Sequence, residues 1–340
     1  MKTEMISTSD EQTKEAVKAA VAILAAGEVV ALPTETVYGL AGNAFDAAAV
    51  AKIFAAKERP SFDPLIVHIG KKSDLDRVAI VPEEIKIVVE KLANAFWPGP
   101  LTMILPKHPD VPDLVTSGMP TVAVRLSANK IFSSIVRELG QPLAAPSANR
   151  FGRISPTSAA AVFQELDGRI PLIVDGGACS QGLESTIVHV QMGEKRPLLT
   201  IMRPGPITKE MLQNFGKVEK FRAAKDPSKP AAPGLLESHY APNTPLYLLK
   251  DPSDFRPEAG KTYALLSYTG EGQYVDLHHW RAVEPLSPGN GKLPEAALRL
   301  FHVMRRLDAV GADAIIAEPV SEVGLGVAIM DRLRRASTTV

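Results

Sequence analysis

The sequence predicts an α/β protein of two domains, a larger one with a mixed sheet and a smaller one with a parallel sheet. Three observations carry this reading. Short apolar runs of strand length alternate with amphipathic segments of helical period over most of the chain. Two β-rich segments, Thr186 to Val190 and Leu198 to Met202, flank Met192-Gly193-Glu194-Lys195-Arg196-Pro197 as the arms of a hairpin would, so the first sheet contains antiparallel pairing. After about residue 216 the chain turns basic from Lys217 to Lys229, with Pro227, Pro230 and Pro233 close by, the composition of a linker. The boundaries that follow are 1–212 for the first domain, 213–244 for a linker and 245–340 for the second. A length of 340 residues agrees with this, at roughly 150 residues per domain.

The elements follow in order. Val17, Ala20, Val21 and Leu24 share one face of a first helix that Gly27 stops. Val29 to Leu32 is a buried strand ending at Pro33. Asp46 is the N-cap of a helix running through Val50, Ile53 and Phe54 to Lys57. Pro64 to Ile69, Thr121 to Arg125, Pro142 to Ala145 and Pro171 to Val174 are further strands, with helices around 83–96, 130–139 and 157–166 between them. Trp97-Pro98-Gly99-Pro100 reads as a helix stop with an aromatic anchor. In the second domain, strands at Pro245 to Leu249, Tyr263 to Tyr268 and Ala312 to Ala317 alternate with helices at Pro294 to Leu307 and Gly326 to Arg335.

Composition narrows the function. The chain has 38 Lys+Arg against 38 Asp+Glu, with 45% hydrophobic and 22% charged residues, so it is an ordinary globular protein that does not coat nucleic acid through bulk charge. A small basic pocket needs only a few cations and stays open. Cys179 is the single cysteine, which excludes an internal disulfide and a multi-thiolate zinc site, and its loop setting makes it chemically incidental. No run approaches the roughly 20 apolar residues of a membrane helix. The acidic Asp10, Glu11 and Glu15 do not suit a secretory leader, so the expected location is cytoplasmic, with no membrane contact.

Phosphate-loop, zincin, Cys-x-x-Cys and nucleophile-elbow motifs are absent. Gly324-Leu325-Gly326 looks like half of a dinucleotide fingerprint, but Ile329 stands at the third glycine position, so a tight turn is the better reading. Chemistry concentrates instead in loops that leave first-domain strands: Pro33 to Gly39, Lys57 to Pro60, Ala145 to Asn149 leading to Ser155-Pro156-Thr157, Gly182 to Thr186, and Arg203-Pro204-Gly205. Lys57, Arg59, Arg125 and Arg203 supply cations suited to phosphates and carboxylates. Thr34, Thr36, Ser147, Ser155 and Ser185 supply hydroxyls, each of which is equally at home as a cap or turn residue. Arg125 closes an apolar strand, where an unpaired guanidinium is costly, so a carboxylate or a ligand must face it. His68 ends another strand and reads either as a structural imidazole or as a substrate contact. These residues describe an anion-binding α/β domain, open to a nucleotide.

In their order, Pro33–Leu40 (PTETVYGL), Lys57–Pro60 (KERP), Pro64–Ile69 (PLIVHI), Trp97–Thr102 (WPGPLT), Thr121–Arg125 (TVAVR), Ala145–Asn149 (APSAN), Ser155–Thr157 (SPT), Asp175–Gly177 (DGG), Gly182–Val188 (GLESTIV) and Arg203–Gly205 (RPG) closely resemble the threonylcarbamoyl-AMP synthase family in its two-domain form. His239-Tyr240-Ala241-Pro242 and Gly324 to Ala336 (GLGVAIMDRLRRA) resemble signatures of its second domain. The resemblance implies a YrdC-like mixed twisted sheet with a concave basic cavity, and a small Rossmann-like parallel α/β C-terminal domain of the Sua type.

It also implies an activity: L-threonine, bicarbonate and ATP are joined into L-threonylcarbamoyladenylate with release of pyrophosphate. The product is passed to a tRNA threonylcarbamoyl-transferase complex that modifies adenosine 37 in tRNAs reading ANN codons; direct tRNA binding is left open. Carried over residue by residue, Thr36, His68, Arg125, the Ala145 backbone and Ser185 hold threonine. Lys57, Arg59, Asp63, Thr121, Ser147, Ser155, Arg203 and Tyr240 hold ATP, with Lys57 and Arg59 as the catalytic pair. Mg²⁺ arrives with the triphosphate, not in a dedicated protein cage. The 213–244 linker is the implied lid. Two positions depart from the usual pattern: Asp63 replaces a common asparagine, and Leu236-Glu237 replaces a common Lys-Tyr pair. A carbamoyl-transfer enzyme of the hydrogenase-maturation type and a non-catalytic RNA-binding module are the alternatives. The first lacks support because no cysteine-rich finger or acylphosphatase-like segment occurs, the second because the charge is balanced.

Overall fold

The computed structural model describes residues 2–8, 12–221 and 239–338. They fall into two units. The first holds the described parts of 1–151, 156–180 and 184–235, and the second holds 152–155, 181–183 and the described part of 236–340. The proline-rich heart of the expected linker, with Leu236-Glu237, lies outside the described residues.

In the first unit the strands are β1 (Glu4–Ser7), β2 (Val30–Leu32), β3 (Gly39–Asn43), β4 (Ile66–His68), β5 (Leu101–Pro106), β6 (Thr121–Arg125), β7 (Leu143–Ala144), β8 (Leu172–Asp175), β9 (Thr186–Met192), β10 (Pro197–Arg203) and β11 (Lys217–Lys220). They form one mixed sheet in the order β1-β8-β2-β3-β7-β4-β6-β5-β9-β10-β11. The expected hairpin is present, with Pro197 opposite Met192 across β10 and β9. The helices are α1 (Thr13–Ala25), α2 (Ala47–Lys57), α3 (Glu83–Phe96), α4 (Asp113–Thr116), α5 (Lys130–Leu139), α6 (Ala159–Leu166) and α7 (Lys209–Leu212).

Local chemistry explains these boundaries. The Asp46 carboxylate accepts from the Ala48 and Ala49 amides to start α2, as its spacing predicts, and Glu58 ends that helix in the left-handed region at φ 53°. Asn129 caps α5 in the same way, and α1 turns Ala16, Val17, Ala20 and Leu24 inward. Apolar side chains from α2, α3 and α6 join those of β2 to β10 in the main core, while α1 and α5 build a second cluster with β2 and β8.

Four strands of this unit were not expected, the first being β1, a four-residue strand at the sheet edge that pairs in parallel with β8. β3 is the glycine-rich GLAGN, whose lack of β-branched residues hides it, but it is held between β2 and β7. β5 follows directly on the turn at Trp97–Pro100 and is buried from Leu101 to Leu105 between β6 and β9. β11 lies inside the segment read as linker. Its charged side chains blunt a sheet edge, where it pairs in parallel with β10.

In the second unit, β12 (Leu246–Leu248), β13 (Tyr263–Ser267), β14 (Ala282–Pro285) and β15 (Ala314–Ala317) form a wholly parallel sheet in the order β12-β15-β13-β14. The helices are α8 (Gln273–Asp276), α9 (Leu293–Asp308) and α10 (Leu325–Ala336). β14 was the one strand of this unit missing from the sequence reading. The Gly324-Leu325-Gly326 turn is structural: Gly324 has φ 54°, and a Cβ on Gly326 would fall 1.7 Å from the Ser321 carbonyl oxygen.

Candidate active site

Strand register assembles the first half of the site. His68 of β4 is in register with Arg125 of β6, and Arg125 with Thr102 of β5. Register partners on adjacent strands lie about 5 Å apart on the same face, so three polar side chains share one row across a sheet that is otherwise apolar there. The row continues through Ser185, just before β9, whose Oγ is 2.7 Å from Thr102 Oγ1. At the end of β10, Arg203 donates through Nη2 to Ser185 Oγ (3.1 Å) and to the Ser185 carbonyl (3.0 Å).

The loop after β2 closes over this row. Thr34 Oγ1 donates to the Val37 carbonyl (2.6 Å) and accepts from the amides of Thr36 and Val37, a turn that points the next two side chains at Arg125. Arg125 donates from Nη1 to Thr36 Oγ1 (3.0 Å) and from Nε to the Gly99 carbonyl (3.3 Å), and its Nη2 is ion-paired with Glu35 Oε1 at 2.7 Å. The carboxylate that the sequence demands beside Arg125 is therefore Glu35. Ser127 Oγ donates to its other oxygen at 2.5 Å. Burial alone would raise the Glu35 pKa, but the Arg125 charge and the hydrogen bonds from Ser127 and Arg125 outweigh it and bring it to about 2. His68 is pushed down to about 3 by burial and then by the Arg125 charge, so its imidazole is neutral at neutral pH. The Ala145 backbone and Glu35 pull the other way.

A second group sits around the end of α2. Lys57 is fully buried, and its Nζ donates to the carbonyls of Ser147 and Asn149, both at 2.5 Å. Burial, then the neighbouring Arg59 charge, holds its pKa well below the usual lysine range, with Asp63 and Glu165 opposing. Arg59 donates from Nε to the Asp63 carbonyl (3.1 Å) and from Nη2 to the Pro64 carbonyl (2.9 Å), and is ion-paired with the Asp63 carboxylate at 2.8 Å. A guanidinium thus offsets the charge of the buried Asp63 carboxylate. The two groups are tied by backbone pairing: Leu40 donates to the Pro146 carbonyl (2.8 Å), and Ala148 to the Tyr38 carbonyl (2.8 Å).

Thr36, His68, Arg125, Ala145, Ser185 and Arg203 thus come together, as do Lys57, Arg59, Asp63 and Ser147. Thr121 opens β6, about 13 Å along the strand from Arg125. Ser155 and Tyr240 belong to the second unit. There Arg305 donates to the Ile154 carbonyl, and the Ala241 amide donates to Gly152 (2.8 Å), which holds the loop of the buried Ser155. The Tyr240 ring is stacked on Phe301 at 5.5 Å and lies under the Arg332 guanidinium.

Sequence reasoning missed Glu35, Ser127, Thr102 and Tyr38. Glu35 had a signal, the need for a partner to Arg125. Thr102 had one only in register, which needs β5. Tyr38 holds the Asp175-Gly176-Gly177 turn, its hydroxyl donating to the Gly177 carbonyl (2.7 Å) and accepting from the Gly176 amide (3.1 Å). Cys179 is buried, and burial followed by the Glu35 charge pushes its pKa up to about 12, so it is a thiol and not a nucleophilic thiolate at neutral pH.

Residues 22–205 match the family described as telomere recombination (Sua5, YciO, YrdC), and residues 207–338 match the threonylcarbamoyl-AMP synthase C-terminal domain. The chain belongs to the threonylcarbamoyl-AMP synthase family. It is 39% identical to the threonylcarbamoyl-AMP synthase of Pyrococcus abyssi, covering 94% of each chain, and 38% identical to that of Bacillus subtilis, covering 98% of this chain and 95% of the other. Among solved structures it is similar to P. abyssi Sua5 complexed with L-threonine, with a TM-score of 0.85 at 37% identity over 98% of both chains. A variant of the same protein gives a TM-score of 0.86, also at 37% identity, over 98% of this chain and 96% of that one. The family's mixed α/β first domain and parallel second domain are the architecture described above. Among the described residues, no group of three or more His, Cys, Asp and Glu side chains could hold a metal ion, and no helix is long and apolar enough to cross a membrane.

Proposed function

We propose that this chain makes L-threonylcarbamoyladenylate from L-threonine, bicarbonate and ATP, releasing pyrophosphate, in the cytoplasm. The observation that carries the reading is the buried row of His68, Arg125, Thr102, Ser185 and Arg203 under the Glu35-Thr36 loop, beside a second group built on Lys57 and Arg59. Curated relatives named for this activity, and a similar structure described as complexed with L-threonine, support it.

In this reading the Arg125 N–H groups not used by Thr36, Gly99 and Glu35 take the threonine carboxylate. Neutral His68, the Thr36 and Ser185 hydroxyls and the Ala145 backbone orient the rest of the amino acid. The α-ammonium loses a proton to water, bicarbonate takes up a proton and gives carbon dioxide and water, and the free amine adds to the carbon dioxide with release of its second N–H proton, giving a carbamate. A carbamate oxygen attacks the α-phosphorus of ATP, the bond to the β-phosphate oxygen breaks, and pyrophosphate leaves. Two anions must meet, so the chain's contribution is charge neutralisation by Lys57, Arg59 and Arg203 and alignment of a labile intermediate. Ser147, Thr121 and Asp63 complete the proposed nucleotide contacts within the first unit.

Among the described residues of the site, the Asp63 carboxylate is paired with Arg59 and Glu35 with Arg125, so neither is offered to a magnesium ion. Magnesium belongs to the substrate as the ATP complex. The product feeds threonylcarbamoyl transfer to tRNA. The test is incubation with ATP, magnesium, labelled bicarbonate and each amino acid in turn. Pyrophosphate release and label in an adenylate are expected with threonine alone, and release that does not depend on threonine overturns the proposal.

A further inference from the structure

A lone buried guanidinium is a general anion trap, because any carboxylate relieves the cost of its burial. Arg125 is not alone. Glu35 is 8% exposed and Arg125 3%, and their charged atoms stand 2.7 Å apart. His68, which interacts with both charges, is itself uncharged at neutral pH. The Arg125–Glu35 pair therefore carries one positive and one negative charge and has no net charge of its own. Both groups keep binding capacity: Arg125 has five N–H donors, of which the named partners use three, and Glu35 has about four acceptor positions, of which Arg125 and Ser127 use two. The α-ammonium nitrogen and carboxylate oxygens of an amino acid are about 3 Å apart, a spacing like that of the protein's own pair.

We propose that Glu35 is a specificity-determining residue, which makes this pocket select a zwitterion over a simple carboxylate by facing the α-ammonium while Arg125 faces the α-carboxylate. This rests on the reading of the pocket as the threonine site. A ligand with both charges lies antiparallel to the Arg125–Glu35 pair and is attracted at both ends. A ligand with a carboxylate alone gains at Arg125 and is repelled at Glu35, the repulsive element that specificity requires. Carboxylate metabolites that share the hydroxyl and methyl of threonine but lack its amine are thereby kept out of a site whose chemistry needs that amine. Held so far down in pKa, Glu35 orients the amine and does not take its proton.

The experiment measures equilibrium binding of L-threonine and of 3-hydroxybutanoate, which lacks the amine, to the full chain and to Glu35→Gln. The parent is expected to prefer threonine by at least a hundredfold, and Glu35→Gln to shrink that ratio by tenfold or more, with 3-hydroxybutanoate bound as well as before or better. A purely structural role for Glu35 would weaken both ligands by the same factor and leave the ratio unchanged, which overturns the proposal. If Glu35→Gln does not fold because Arg125 is left as an unpaired buried charge, the double variant Glu35→Gln/Arg125→Gln removes both charges, and its ratio is expected to approach one; a preserved preference for threonine there overturns the proposal as well. A parent that binds neither ligand sinks the assignment of the pocket itself, and is told apart from failure of the Glu35 role because the ratio cannot then be formed.

Discussion

Replacing Asp63 by asparagine is expected to weaken the resting fold and to strengthen nucleotide binding. Asp63 is fully buried, and its carboxylate stands 2.8 Å from Arg59 Nη2. Deleting one partner of such a pair costs about 3–5 kcal/mol when a bare charge is left behind. Here Arg59 keeps the Asp63 and Pro64 carbonyls at 3.1 and 2.9 Å. The asparagine amide oxygen also remains an acceptor, which lowers the expected loss to about 1–2 kcal/mol. At about 2–4 °C per kcal/mol, the melting temperature should fall by about 2–8 °C. Nucleotide binding moves the other way. A phosphate bound by Arg59 stands about 6 Å from the lost carboxylate, a repulsion of about 3 kcal/mol between unit charges at an effective dielectric constant of 20. Relief of even half of that strengthens binding by roughly tenfold. Urea denaturation without nucleotide and calorimetric titration with a non-hydrolysable ATP analogue read the two effects separately. Weaker nucleotide binding by Asp63→Asn would refute the placement of a phosphate at Arg59, and an unchanged stability would refute the weight given to the ion pair.

Three further outcomes follow from the geometry. Lys57→Met removes the buried ammonium between the Ser147 and Asn149 carbonyls and should cut kcat/KM for ATP by at least about a hundredfold, roughly 2.7 kcal/mol, with threonine affinity unchanged by calorimetry. Acid should destabilise the first unit in two stages. The unfolded chain binds a proton at His68 below about 6.5 that the folded chain refuses until about 3, and at Glu35 below about 4.5 that the folded chain refuses until about 2, so stability falls with pH in both windows. Urea midpoints from pH 7 to 3 should lose only the lower stage in Glu35→Gln and only the upper stage in His68→Gln; identical profiles for parent and variants would contradict both assignments. In Gly205→Ala the new Cβ would lie 2.6 Å from the Glu184 carbonyl oxygen and from the Thr186 amide nitrogen, backbone atoms that cannot step aside. The expected cost is about 1–3 kcal/mol, with a rise in threonine Kd as Ser185 shifts from Arg203, and an unchanged melting temperature would count against this account.

What the sequence made legible was whatever local chemistry decides. Asp46 as a cap, the Val17–Leu24 face of α1 and the 192–197 hairpin each depend on residues within a few positions, and each is where it was expected. β3 and β5 escaped because their strand character comes from neighbours far along the chain: β7 for one, β6 and β9 for the other. The site was legible as an inventory and not as a geometry. Arg125 announced that it needed a carboxylate, and the answer lay ninety residues away, inside a loop already singled out for its threonines. Thr102 closed a quoted motif, Trp97–Thr102, but nothing local pointed it at Arg125, since only the β5–β6 register sets it there.

That asymmetry bears on how a chain with no net charge can bind strongly anionic substrates. Each cation of the site has protein partners: Arg125 has Glu35, Arg59 has Asp63, Lys57 has two carbonyls and Arg203 has the Ser185 carbonyl and hydroxyl. Burying four free cations would cost more than a domain of this size could offset, so the folded protein must hold them satisfied before any ligand arrives. The partners differ in kind, and the difference orders the chemistry. Arg125 and Arg59 face carboxylates, which repel an incoming anion and so make binding conditional, on an ammonium at the first and on the concentrated charge of a triphosphate at the second. The hydrogen-bond partners given above for Lys57 and Arg203 are uncharged oxygens, which orient the two groups, and in the proposed reaction these two meet the charge that develops as the phosphoryl bond breaks. Balanced composition is thus compatible with such a mechanism, because a bound anion meets a few placed cations and their partners and not the bulk charge of the chain.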